Sequence, residues 1–355
     1  AMLIQAWHYA APNYPYTCYD VLYRTPRQHV GGCLWHSFDH QRGYHPDPFY
    51  GGLMDVFRQP KYSYYMFQAQ RSPKKQDRLF ETGPMVYIAH EMTPFSPKDV
   101  TVYSNCDEVR LTYNKGGKSL TYTKPVSREG MPSPIITFKD VYNFMIDKNM
   151  SMKEGRQKEV FLLAEGLING KVVATHKVCP ARRPSKLLLW IDNENTELKA
   201  DGSDFVTVIA AIADKNGNIK RLNNYYVKFH IEGEGRILGG ANVLANPAPV
   251  KWGTAPILVQ STLKPGKIKI TASVLFEGSQ MPVSAELELE SKPSAYPLIY
   301  ASEEAALIPM KSDSQSFPIT AKSQKELEKE KAVKEQNERK LKEVEQQQAD
   351  FGEKK

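Results

Sequence analysis

The chain has 355 residues, 41% hydrophobic, 25% charged and 10% aromatic, with a net charge of +7, a length that holds two or three domains. Its Lys and Arg residues are scattered rather than interleaved with rings, which speaks against a nucleic-acid face. No run approaches the roughly 20 apolar residues of a membrane span.

In chain order, four segments emerge. Residues 1–72 stand apart, because residues 1–70 hold 16 of the 37 Phe, Trp and Tyr residues and 5 of the 8 His. Ala1-Met2 reads as an added alanine before an initiating Met. No signal peptide precedes Leu3, and the sequence from there reads as if already inside a fold. LIQAWHYA reads as a strand ending near Ala10. Thr17–Thr25 places Tyr19, Leu22 and Tyr23 at helical spacing, VGGCLWHSF reads as a strand between glycines, and Ser63–Gln70 as a closing helix. Strand–helix–strand–helix suggests βα units of a parallel sheet or barrel.

Residues 80–182 alternate at period two, as in Val100, Val102 and then Val109, Leu111, Tyr113. A turn falls at Asn114–Gly117. Phe161–Gly166 and Lys171–His176 form a hairpin across Ile168-Asn169-Gly170. Phe138, Val141, Tyr142 and Met145 share a helical face, with Thr137 and Asp140 resembling a capping box. The expectation is a β-sandwich with one helical insertion. Residues 185–292 repeat the pattern at Leu187, Leu189, Ile191; Val206, Val208, Ala210, Ile212; Val227, Phe229, Ile231; and Ile268, Ile270, Ala272, Val274. That spacing fits an immunoglobulin-like sandwich. Residues 293–355 are a linker and then a charged, solvated helical or disordered tail, since Lys334 interrupts any heptad between Leu327 and Leu341. The fold class expected is mainly β: two immunoglobulin-like sandwiches after a partial (β/α) barrel remnant.

Candidate chemistry concentrates between Val30 and Phe67. His36, Asp39, His40, His45 and Asp47 lie within twelve residues. An extended segment would hold His36 and His40 about 13 Å apart, so no metal site is expected, and no cofactor is implied. Polar residues at a strand's end suit a ligand cleft, and Trp35, at the strand's exit, suits sugar stacking. The expected substrate-binding residues are Trp35, His36, Asp39 and His40. Glycoside hydrolysis usually takes two carboxyl groups. Glu81 is the first Glu, and only Asp39 of the early aspartates sits at the expected strand end, so no catalytic residue is assigned. Asp201-Gly202-Ser203-Asp204 and Asp214–Asn218 read as hairpin turns, since the calcium-loop spacing is not met. Cys18, Cys33, Cys106 and Cys179 fit neither a zinc site nor a redox pair and read as buried free thiols.

GGCLWHSFDHQ and YGGLMDVFRQPKYSYYMF resemble the eighth barrel strand and closing helix of glycoside hydrolase family 2, the β-galactosidase and β-glucuronidase family. VTVYSNCDEVRLTYNKG resembles the family's post-barrel sandwich. The stretch from Ala200 to Asn242 is similar to the extra sandwich of longer members and to invasin-type domains. The resemblance spans residues 3–292. It implies a retaining β-glycosidase with two catalytic Glu on earlier barrel strands, neither of them in this chain. It matches Trp35 to a sugar-facing tryptophan and Asp39 to an acidic position beside it. Gly51 stands where some members place a sodium-binding Asn, which speaks against a sodium site. The implied partner is a β-linked glycan bound by a longer parent enzyme, and a periplasmic or secreted parent is compatible with the resemblance.

The expectation is therefore the C-terminal portion of a β-galactosidase-like enzyme, inactive alone. A barrel takes about 250 residues and two βα units cannot close one. Their apolar faces must pack on the first sandwich, on another copy or on the missing half. The alternatives are a non-enzymatic carbohydrate-binding or adhesion module, and a scaffold that self-associates through the barrel remnant or residues 322–355.

Overall fold

The first ten residues carry no proline, glycine or β-branched run, and Ala6 and Ala10 fall four apart on one helical face. A computed structural model describes residues 2–10, 19–25, 28, 32–34, 36–43, 48–75, 82–115, 119–126, 130–145, 160–192, 196–240, 243–275 and 282–295. In it, Met2–Ala10 is a helix, α1, rather than the expected strand. Short apolar runs do not separate strand from helix by pattern alone. Here Ala6 and Ala10 let α1 lie against Tyr62, Met66 and Ala69. Those residues belong to or follow a helix Tyr62–Gln68, which with Tyr19–Arg24 is as expected; in chain order these are α2 (Tyr19–Arg24) and α3 (Tyr62–Gln68). The strand expected over Val30–Phe38 is not formed by the described residues of that stretch. A strand needs ladder partners, and Phe38 and His40 find only single bridges, to Met54 and Phe49.

Seven strands follow: β1 (Val86–Ile88), β2 (Val100–Ser104), β3 (Glu108–Lys115), β4 (Ser119–Pro125), β5 (Ile136–Phe138), β6 (Val160–Ile168) and β7 (Lys171–Val178). They form a sheet β1-β2-β5 and a sheet β4-β3-β6-β7. The period-two residues meet between them: Val109, Leu111, Tyr113, Leu162 and Ala164 from one sheet face Ile88, Val100, Val102 and Phe138 from the other. The β6–β7 hairpin turns at Asn169 (φ 51°) and Gly170 (φ 73°), the left-handed pair that a two-residue turn demands. The helix expected through Phe138 does not begin there: the first helical residues of this stretch are 144 and 145, and the chain beyond Met145 lies outside the described residues. Phe138 ends β5 instead, and Asp140, the expected capping residue, has φ 53° and donates its N–H to Asp99. Val141 and Tyr142 are buried from the irregular residues ahead of 144 and 145.

Asn105, 1% exposed, joins this sandwich to the segment before it. Its carbonyl accepts from Met85 N–H at 2.8 Å, and its amide donates to the carbonyls of Arg71 (3.1 Å) and Gly83 (2.9 Å). On the other side of the joint, Asp20 accepts from Met131 N–H and pairs with Arg24 at 2.6 Å. The Gln70 amide bridges both backbone groups of Ser133.

Nine further strands are β8 (Lys186–Asp192), β9 (Lys199–Ala200), β10 (Phe205–Ala213), β11 (Tyr226–Gly233), β12 (Gly235–Ile237), β13 (Ala248–Pro249), β14 (Thr254–Ser261), β15 (Gly266–Leu275) and β16 (Ala285–Pro293). Their sheets run β12-β14-β10-β8 and β13-β11-β15-β16-β9. Every alternating set read from the sequence faces one core, from Leu187 to Val274. Asp201 and Asp214 anchor turns. Asp214 is fully buried, yet its carboxyl lies below its ordinary range. Burial alone would raise it, and hydrogen bonds from Arg182 N–H, Asn218 and Asn216 N–H overcome that. The loop Gly239–Ala245 belongs to a separate compact unit and closes on itself through Gly240. The charged tail, 322–355, lies outside the described residues. Of the thiols, Cys106 is buried as expected. Cys33 is exposed and Cys179 half-buried, because neither is carried on a core-facing strand position. Cys18 lies outside the described residues.

The N-terminal segment and the two sandwiches meet at Glu91. Tyr62 of α3 donates to its Oε1 at 3.2 Å, and Arg221 of the second sandwich donates to its Oε2 at 3.1 Å. Beside it Tyr65, Tyr87 and His176 form a continuous stack, with centroids 3.6 and 4.5 Å apart.

His90 yields a pH prediction. It is 3% exposed; its Nδ1 accepts Met92 N–H and its Nε2 donates to Pro97 O, so it is folded in as the neutral ring. Burial lowers its pKa to about 4, against about 6.5 unfolded. The unfolded chain therefore binds the extra proton between those values. The stabilisation is complete above pH 6.5 and is lost as pH falls towards 4, of order 3 kcal/mol. Burial shifts His176 in the same direction. Thermal melting should show Tm falling from pH 7 to pH 4.5, and His90→Gln should flatten that slope.

Candidate functional site

The stretch singled out in the sequence folds around two adjacent glycines. Ser37–His40 pairs with its own return strand: Asp39 N–H reaches Met54 O (3.0 Å), Met54 N–H reaches Ser37 O (3.1 Å), and His40 and Phe49 exchange bonds at 3.3 and 2.9 Å. This brings Gly52 so close to Phe38 and Asp39 that a Cβ would overlap their backbone atoms. Only glycine permits such an approach.

Asp39 sits beneath that crossing, 6% exposed. Its Oδ1 accepts Gly52 N–H at 3.0 Å and Lys61 Nζ at 2.6 Å. Lys61 is itself largely buried and also donates to Tyr50 O at 3.1 Å. The remaining carbonyls of the turn are taken by α1. Gln5 Nε2 donates to Tyr50 O and Gly52 O, Tyr9 Oη donates to Gly51 O at 2.6 Å, and Ser63 orients Gln5 by donating to its Oε1. Burial raises the Tyr9 phenol, which keeps it a donor. Lys61, Gln5 and Tyr9 were not singled out from the sequence. The one available signal was the Gly51-Gly52 pair, whose bare carbonyls need donors from elsewhere.

His36 and His40 stack, with ring centroids 4.0 Å apart and planes 39° apart, rather than standing 13 Å apart. The bend at Ser37 and the bridge at His40 replace the extended strand on which the longer distance rested. Both rings lie against Phe49, and the Arg42 guanidinium lies 5.3 Å from the centre of the same ring. Desolvation, then the neighbouring His40 ring, lowers the His36 pKa. Phe38, Phe49 and Tyr50 remain exposed beside this cluster. Trp35, His45 and Asp47 lie outside the described residues. The structure thus brings His36, Asp39 and His40 together, with the imidazoles on the ring cluster and the carboxylate turned inward.

Such a surface offers aromatic faces and nitrogen donors. A carboxylate pair is missing among the described residues of the N-terminal segment. Asp20 and Asp39 are spent as above, and Asp55 closes a turn by accepting from Phe57 N–H, Gln59 N–H and the Gln59 amide. Burial raises Asp55, with those bonds opposing the shift.

Residues 189–275 match glycoside hydrolase family 2 C-terminal domain 5. The chain is similar to a β-galactosidase of Thermoanaerobacter pseudethanolicus, 32% identical over 273 residues, which are 75% of this chain and 34% of that protein. It is 28% identical over 261 residues to β-galactosidase BoGH2A of Bacteroides ovatus, covering 68% of this chain and 27% of that one. The chain therefore spans about a third or less of the length of these relatives. Among solved structures, a family 2 β-glucuronidase aligns with a TM-score of 0.57 at 21% identity, over 82% of this chain and 28% of that one. A β-glycosidase from Bacteroides vulgatus aligns with a TM-score of 0.53 at 23% identity, over 72% and 30%. These two show a shared fold.

Removing Asp39 leaves Lys61 buried without its counter-ion. Asp39→Ala should cost about 3 kcal/mol in urea unfolding, and Asp39→Leu with Lys61→Met should recover much of it, because removing both charges leaves none to desolvate.

Proposed function

From the glycoside hydrolase family 2 C-terminal domain architecture that this chain carries, we propose that it is the C-terminal portion of a retaining β-glycosidase. Residues 1–72 are the end of the catalytic barrel, and residues 80–182 and 185–292 are immunoglobulin-like sandwiches behind it. The parent hydrolyses terminal β-glycosides. The β-galactosidases among its relatives support galactose as the terminal sugar.

The observation that carries this reading is the fate of Asp39. Retaining hydrolysis needs two carboxyl groups about 5 Å apart, one as nucleophile and one as acid/base. Asp39 is the acidic residue best placed for that in the sequence, and it is spent holding Gly52 and Lys61. The chain's own role is to bind and orient. Phe38, Phe49 and Tyr50 present ring faces for a pyranose, and His36, His40 and, by resemblance, Trp35 complete the wall. The catalytic carboxyls belong to the upstream barrel. The outward face of α1 agrees with this, since Ile4 is 71% and Trp7 37% exposed on a helix that is apolar on both sides, as a helix buried on both sides would be.

Purified chain should give no turnover of a chromogenic β-galactoside, and the same chain joined to its upstream barrel should turn it over. Turnover by the chain alone that Asp39→Asn abolishes would overturn the reading.

A further inference from the structure

Two histidines hold the joint at Glu91 by accepting hydrogen bonds. Tyr87 and Glu91 are the residues through which the first sandwich grips α3: Tyr87 stacks on Tyr65, and Glu91 accepts from Tyr62. Each is followed by a residue whose backbone N–H ends on an imidazole. Ile88 N–H donates to His176 Nδ1 at 3.0 Å, and Met92 N–H donates to His90 Nδ1 at 3.1 Å. A ring nitrogen that accepts carries no proton, so both rings are neutral, with their proton on Nε2. His90 points that proton at Pro97 O, 2.9 Å away.

Both bonds do structural work that nothing else in their surroundings repeats. β1 is an edge strand, paired with β2 on one side only, and His176 takes its outward Ile88 N–H. The His90 bond closes a tight loop around Glu91 and opposes relaxation of Met92, which is held at φ 49° and 2% exposed. That left-handed conformation is disfavoured for a residue other than glycine. The loop sets the backbone of Glu91, and with it the aim of the carboxylate at Tyr62 and Arg221.

Protonation reverses the role of Nδ1. An imidazolium donates from both nitrogens, so N–H would face N–H at Ile88 and at Met92, where burial makes an unpaired donor costly. Little around either ring offsets the new charge. His90 packs against Tyr142, with Tyr113 beyond it, and His176 against Tyr87 and then Tyr65. Burial raises the phenols of Tyr142, Tyr87 and Tyr65, which stay uncharged. Glu91 is turned to Tyr62 and Arg221, and Arg221, whose charge reaches Tyr65 and Tyr87, repels a second cation. Next along β7, Lys177 lies over the Phe161 ring. Burial holds both imidazoles below the ordinary histidine range, His90 at about 4.

We propose that His90 and His176 form an acid-operated latch: neutral, they hold Tyr87 and Glu91 against α3 and Arg221; protonated, they release α3 and the 219–223 loop while the sandwich cores stay folded. Lys61, which holds Asp39, directly precedes α3, so release loosens the candidate site as well. The latch rests on the joint and not on the proposed function. The closed joint is fully favoured above pH 6.5, where a freed ring is also neutral, and weakens as pH falls towards 4. From pH 7 to pH 5 the His90 equilibrium alone shifts towards release about twentyfold, and His176 adds to it.

Hydrogen exchange of the full chain at pH 7 and pH 5, with each amide corrected for the intrinsic effect of pH, tests this. Protection of α3 and the 219–223 loop should fall about twentyfold or more, with the core amides of β10 and β15 holding theirs. Glutamine accepts a backbone N–H through its carbonyl at either pH. His90→Gln should therefore remove most of the acid response, and His90→Gln with His176→Gln all of it, in variants whose melting at pH 7 shows them folded. Three results would each overturn the latch. The first is α3 and the loop as protected at pH 5 as at pH 7. The second is a loss shared by β10 and β15, which is global unfolding. The third is an acid response that the folded double variant keeps, which would assign it to Glu91. The first two are read on the unaltered chain, so they hold even if a variant does not fold.

Discussion

Glu91 is where the N-terminal segment and the two sandwiches become one body. A carboxylate removed from water must be paired and hydrogen-bonded or it destabilises the fold. Its two oxygens are satisfied from two directions, by Tyr62 on α3 and by Arg221 on the loop before β11. Neither partner belongs to the sandwich that carries Glu91. Burial, with Glu91 adding to it, pushes the Tyr62 phenol far above its usual range, so the hydroxyl stays protonated and donating. Arg221 also reaches Trp252 O, which fixes the turn entering β14.

That joint sets where the candidate site stands. α3 is held by Glu91 through Tyr62 and by the Tyr65–Tyr87–His176 stack, and Lys61 directly precedes it. Lys61 in turn holds Asp39 and Tyr50, and α1 closes over Gly51 and Gly52 from the other side. The rings of Phe38, Phe49 and Tyr50 are therefore presented by a rigid turn rather than a free loop. The same turn reaches β8 through the Arg58–Asp192 ion pair.

Much of this architecture is legible in the sequence, for a physical reason. In a sandwich each strand buries one face, so Val109-Leu111-Tyr113 and Val206 to Ile212 write their orientation at period two. Asn169-Gly170 writes its own turn. The N-terminal segment obeys no such rule. LIQAWHYA is apolar on both sides, so its pattern did not distinguish the helix it forms. VGGCLWHSF has the composition of a strand, yet the described part finds only single bridges. Phe138 to Met145 has helical spacing, yet Phe138 serves β5 and Tyr142 packs from an irregular stretch just before the helical residues 144 and 145. In the site, the grouping of His36, Asp39 and His40 was legible. The inward turn of Asp39 was not, since it depends on Lys61, twenty-two residues on. Glu91 and Arg221, 130 residues apart, left no local signal at all.

Hydrogen exchange read by mass spectrometry, on the parent chain and on Glu91→Gln and Arg221→Met, tests the joint most directly. Faster exchange is predicted in α3 and in the 219–223 loop together, in both variants, with the core amides of β10 and β15 unchanged. Faster exchange confined to residues 89–92, with α3 and the 219–223 loop as protected as before, would contradict it.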